Sequence, residues 1–230
     1  MKKVECVLFM SICFTATAQL SSVSPATRIA ATINDAATGR VSASVVQENI
    51  GGSDDSTVSL LRSYIMDLPA KSSDEVTDFL TKRAVLVTKA LLWIGNSRSV
   101  LTLLEVSTSC ANEQVRSQAL DAIAREFYSA SLSSDATPPK EIVHALLTSV
   151  DDDSYVGDLQ VRVGDIAREG LSNWLGMDFG EPRGSAVRIK VGKEKQEMTL
   201  REYREWWWNR NSGNLEWDRI TGRFIIRTEK

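Results

Sequence analysis

Three tryptophans stand together at Trp206-Trp207-Trp208 and Trp217 follows closely, so four of the six tryptophans fall in the last 25 residues. Such rings either build a core or offer flat faces to a sugar or a cation. Successive helical residues turn by ~100°, so three in a row cannot share one face. Leu200, Tyr203 and Trp207 form one stripe, expected to face a core. Trp206 then lies on one flank between Glu202 and Arg210, and Trp208 on the other near Arg201 and Arg204. Two readings follow for the flanking rings. In one, a following hairpin and a preceding loop cover them, because a small unit poor in other large apolar residues needs rings for its core. In the other, Trp208 is an exposed platform for a sugar ring or a partner's anionic side chain. The candidate contacts are Trp206, Trp208, Arg201 and Arg204. The buried reading is favoured, since aromatic rings are mostly buried.

Other reactive residue types are sparse. The acidic runs Asp54-Asp55 and Asp151-Asp152-Asp153 invite a calcium site, yet the second lacks the glycine and the terminal glutamate of an EF-hand loop. It reads as a solvated loop in which one aspartate caps the next helix. Asp158 and Asp165 could form the carboxylate pair of a hydrolase, but nothing separates them from surface charge. His144 is the single histidine and falls with Lys140 and Thr148 opposite the apolar line Ile142, Leu146, Val150, which makes it a surface residue. Without a second histidine or a cysteine cluster, zinc sites and nucleophilic triads have no partners. Gly51-Gly52 precedes no strand–helix unit that would cradle phosphate. No cofactor or metal is expected.

The first residues read as an export signal. Lys2-Lys3 precede an apolar run to about Ala16, and Ala16-Thr17-Ala18 supplies the small residues of a cleavage site, placed after Ala18. The run is shorter than the ~20 residues of a spanning helix. Cleavage would remove Cys6 and Cys13 and leave 212 residues, with 25 basic against 29 acidic groups and Cys110 as the one thiol. That cysteine reads as a small packing residue. The net charge of −4 opposes non-specific nucleic-acid binding. The mature chain is expected to be secreted or periplasmic, with no stable membrane span.

Helical periodicity dominates the middle of the chain. Val58–Leu68 ends at Pro69, and Ser72-Ser73-Asp74-Glu75 fits a capping box opening a helix over Asp74–Ile94. Ser97–Thr108, Glu113–Ser131 and a helix entered through Pro138-Pro139 follow. Gln114-Val115-Arg116 opens one amphipathic helix, and Gln160-Val161-Arg162 is expected to open another over Leu159–Leu175, ended by Gly176. Earlier, the Ala/Ser-rich segment 19–56 holds a candidate helix at Arg28–Ala37 and a weak alternation at Val41–Val46, strand or irregular. Later, Val187–Val191 reads as a strand, Thr199 with Glu202 as a capping box, and Leu215–Trp217 with Phe224–Ile226 as a hairpin.

The spacing Val-Arg-x-x-x-x-Ala at Val161–Ala167, followed by Leu171 and Leu175-Gly176, resembles HEAT and HEAT-like (PBS-lyase-type) repeats; Gln114–Ala124 and Arg83–Gly95 fit more loosely. The resemblance covers roughly residues 57–180. It implies an all-α solenoid of helix pairs, here with a small Trp-rich α+β appendage over 181–230, and packing roles between units for Arg116 and Arg162. It also implies a non-enzymatic binding or scaffolding role toward a protein partner. A carbohydrate or cell-wall binder using the tryptophans is the alternative, and a carboxylate-dependent hydrolase the third reading.

Overall fold

The computed structural model describes residues 24–50, 54–66, 68, 75–156, 161–177, 179, 186–191 and 194–227. Of these, 71% are helical. The export signal, the Ser72–Glu75 capping serines and Asp158 lie outside the described residues.

Caps and prolines set most helix starts. α1 (Pro25–Ala37) opens with Ser24 Oγ accepting from the Thr27 amide at 3.2 Å, and proline fills its first turn. Ala43–Glu48 is a short helix, α2, rather than a strand. The weak alternation there has no strand to pair with, whereas a helical turn satisfies its own backbone and still buries Val46. Asp54 caps α3 (Asp55–Met66) through the Thr57 amide at 2.9 Å. α4 (Glu75–Ile94) stops at Gly95, whose φ of +64° suits glycine. Asn96 and Asn112 cap α5 (Ser97–Ser109) and α6 (Glu113–Asp121) through the amides of Ser99 and Val115.

From α6 the chain continues through a π-helical turn, Ala122–Phe127, into α7 (Tyr128–Leu132); α8 is Glu141–Ser149. The second Gln-Val-Arg does not open a helix. Val161–Arg162 is a strand, β2, paired antiparallel with β1 (Tyr155–Val156), and α9 begins only at Val163 and ends at Leu175. Its N-cap is Arg162, with no side-chain cap; of the 151–153 run, Asp152 serves that helix through its backbone, its carbonyl accepting from the Gly164 amide at 2.9 Å. Gly176, at φ +65°, ends it.

Helix packing is regular. α3 touches α4 and α5, α4 touches α5 and α6, α5 touches α6 and α8, and α9 touches α6 and α8, which arranges α3, α5, α8 in one rank and α4, α6, α9 in the other. α1 and α2 pack on α4, so the 19–56 segment contributes Ile29, Ile33 and Val46 to the same core. Ion pairs cross between neighbours within each rank: Arg62 with Glu105 and Arg98 with Asp55, each 43 residues apart, and Arg125 with Glu169, 44 apart. No helix among the described residues is long and apolar enough to cross a membrane.

Three two-stranded antiparallel sheets complete the described residues. Besides β1–β2, β3 (Ala186–Val191) pairs with β4 (Glu194–Thr199), a strand not anticipated from the sequence. α10 (Leu200–Asn211) follows directly. A hairpin of β5 (Leu215–Asp218) and β6 (Arg223–Ile226) then lies on α9, turning at Gly222. Trp174 of α9 is fully buried there against Trp217 and Phe224 of the hairpin and Phe127 and Tyr128 behind it, with ring centroids 5.1–6.1 Å apart.

Candidate functional site

α10 starts where the sequence places it. The Thr199 amide donates to Glu202 Oε2 at 2.8 Å and the Glu202 amide donates back to Thr199 Oγ1 at 3.2 Å, a complete capping box. The Thr199 amide and hydroxyl, both donating to the Glu202 carboxylate, hold it below its ordinary value. The helix seats Trp207 edge-on to Phe179 at 5.1 Å, with Leu200 also buried.

The two flanking rings have different fates. Trp206 stacks on Tyr203 at 5.9 Å and carries the Arg210 guanidinium over its face at 5.6 Å. Trp208 turns toward α8 and lies nearly parallel to His144, centroid to centroid 4.8 Å. Among the described residues, α8 therefore supplies its ring contact.

Between these helices lies a cleft of about 580 Å³. One wall is the α8 stripe His144, Leu147, Thr148, running on to Asp151 and Asp152. The other is the α10 stripe Arg201, Arg204, Glu205, Trp208, Asn209. Each stripe follows the i, i+3, i+4, i+7 rule of a single helix face. Three of the four residues singled out from sequence, Arg201, Arg204 and Trp208, meet here; Trp206 does not. His144, the two aspartates and Glu205 were missed as site residues. The helical stripe itself was the available signal: His144 and Thr148 are exposed, as expected, yet they face α10 across the cleft.

Arg204 is not a surface contact as first read. It is 2% exposed and forms an ion pair with Asp151, and its Nη1 has no hydrogen-bond partner. The Nη2 contact to Asp151 is Coulombic rather than an aligned hydrogen bond. Removing such a guanidinium from water costs several kcal/mol by general estimate, so its carboxylate partner is held firmly. Exposed Arg201 pairs with Glu205 one turn on, at 3.3 Å.

The loop carrying the aspartates is tied from behind. Arg116 Nε donates to Asp152 Oδ2 at 2.8 Å, Nη1 to the Cys110 carbonyl at 2.7 Å and Nη2 to Ser154 Oγ at 3.1 Å. Arg116 thus joins α6 to the loop after α8. Arg162 takes no such role. It is exposed and lies over the Tyr155 ring at 6.0 Å, because its backbone is committed to β2. Burial alone would raise the Asp152 carboxyl, but the bonds from Ser154 and Arg116 outweigh it and hold it below the ordinary range. Cys110 is buried, with Sγ 3.8 Å from the Ile65 carbonyl, and burial pushes its thiol up.

Chemically, every carboxylate of the cleft has a guanidinium beside it: Asp151 with Arg204, Asp152 with Arg116, Glu205 with Arg201. Asp121, the carboxyl that burial raises, does not line the cleft, and Asp165 pairs with Arg168 on α9. Among the described residues no three metal-ligating side chains cluster. The arrangement is suited to holding a ligand by hydrogen bonds and ring contact. No protein-family model matches the chain, and neither a curated protein nor a solved structure is significantly similar to it.

Proposed function

We propose that this is an exported, non-enzymatic binding or scaffolding protein that engages another protein through the surface of a HEAT-like helical array. The observation that carries the reading is the two-rank packing, in which ion pairs within a rank join residues 43 or 44 apart. A chain built by repeating one helix pair lays its area out in broad faces, and such arrays work by presenting those faces to partners. The paired carboxylates of the cleft favour binding over acid–base catalysis, which needs a group free to exchange a proton near the working pH.

The test is affinity capture from envelope extract with the mature chain, run beside Trp208→Ala. A protein retained saturably by both forms, and displaced by free chain, is the expected result. Retention of no protein above a blank matrix, or of glycan material alone, would overturn it. The C-terminal cleft favours a second, glycan-binding activity on its own evidence.

A further inference from the structure

We propose that the cleft between α8 and α10 is a sugar-binding site, separate from the face that engages protein. Its volume, about 580 Å³, lies in the range of small-molecule sites. Three features of its walls select the ligand class.

The first is the aromatic wall. Trp208 is half-buried and locked against His144, so its indole is a pre-set flat surface. A pyranose presents a patch of C–H bonds that packs on such a ring, which supplies apolar contact without charge.

The second is the alternation of donors and acceptors. Carboxylates of Asp151 and Glu205 accept, the Arg201 guanidinium donates, and the exposed Thr148 hydroxyl does both. Each sugar hydroxyl is itself a donor and an acceptor, so adjacent hydroxyls match a carboxylate beside a guanidinium.

The third is charge. Asp151, Asp152 and Glu205 each have an arginine partner, so a ligand of either sign meets a like charge on the wall. A neutral polyhydroxylated ligand meets none. The site is also built in advance. Buried Arg204 fixes Asp151 from below and retains an unpartnered Nη1, while Arg116 fixes Asp152 and Ser154. A ligand therefore need not order these groups as it binds.

The single histidine makes the test direct, because the His144 ring protons report on this cleft alone. The mature chain is titrated to about 10 mM, the weak end of specific affinity. The probes are soluble chitotetraose, cellotetraose, maltotetraose and mannotetraose, and in a separate arm insoluble peptidoglycan sacculi by co-sedimentation. One sugar is expected to shift the His144 signals saturably. Trp208→Ala and, independently, exposed Arg201→Ala should each weaken it about tenfold or more, with Trp206→Ala unaffected. Binding confined to sacculi, lost in the same two variants, supports the site with a polymer as its ligand. The proposal is overturned if no sugar or sacculus binds, if binding leaves His144 unmoved, or if folded Arg201→Ala binds as wild type. None of these results depends on the protein partner, so either proposal can fail alone.

Discussion

At the residue scale, the cleft depends on an asymmetric ion pair. Arg204 is buried while the Asp151 side chain is a third exposed, so removing one is not equivalent to removing the other. Asp151→Ala strands a buried guanidinium and should cost about 3–5 kcal/mol. Arg204→Met leaves a carboxylate that water can still reach and should cost less. Urea unfolding of the two variants checks the order, and a larger loss in Arg204→Met would contradict it. Asp152 gives a pH signature. Its folded carboxyl sits below its ordinary value near 4, so the stability it supplies is complete above that pH and is lost as pH falls through the lower folded value. Asp152→Asn removes this proton linkage. Its unfolding free energy should fall less steeply than wild type between pH 5 and pH 3, and equal slopes would refute the assignment.

At the element scale, Gly164 sets how α9 meets the loop after α8. A Cβ there would strike the Val150 carbonyl, a backbone atom that has little room to give, while the Gly164 amide donates to the Asp152 carbonyl at 2.9 Å. Gly164→Ala should therefore cost about 2 kcal/mol despite alanine's better helix propensity, and should also disturb the His144 ring signals by shifting Asp151 and Asp152. Unchanged stability would show that the loop yields. The π turn raises a parallel point. It shifts the hydrogen-bond register, and the indole N–H of Trp174 donates to the Ile123 carbonyl at 3.2 Å within that turn. Trp174→Phe keeps a ring but removes that donor, for an expected loss of about 1–3 kcal/mol by thermal or urea unfolding. These elements also separate what the sequence disclosed from what it hid. The Thr199 cap is local chemistry and was read from the sequence; Asn96 and Asn112 cap by the same local chemistry. β4 was hidden because Glu194–Thr199 carries one apolar residue, Met198, so no alternation marks it. The two Gln-Val-Arg runs look alike, yet only the first stands just behind a capping asparagine. The second is drawn into a strand by its pairing with Tyr155 and Val156. In the cleft, Trp208 and its arginines were legible as one helix face, but its partner wall was set by tertiary packing alone.

At the scale of the whole molecule, the C-terminal elements close the end of the helical part. Two packed ranks of helices leave apolar surface on their last members, and burying it takes further chain. Here the closure is divided between the ranks: α10 covers α8, and the β5–β6 hairpin covers α9 through the ring cluster around Trp174. A tryptophan buries 150–250 Å² by general estimate, so exposing Trp174 alone would forfeit roughly 4–6 kcal/mol at 25 cal/mol per Å². That is comparable to the whole stability of a small domain. The cap and the array should therefore unfold together. Tryptophan fluorescence reports mainly on the cap, where four of the six rings lie, and far-UV circular dichroism reports mainly on the array. Their urea transitions should coincide, which is the signature of one cooperative unit. A fluorescence midpoint below the dichroism midpoint would mean that the cap releases first. The cleft would then open before the helices melt, and a sugar that binds there should draw the two midpoints together.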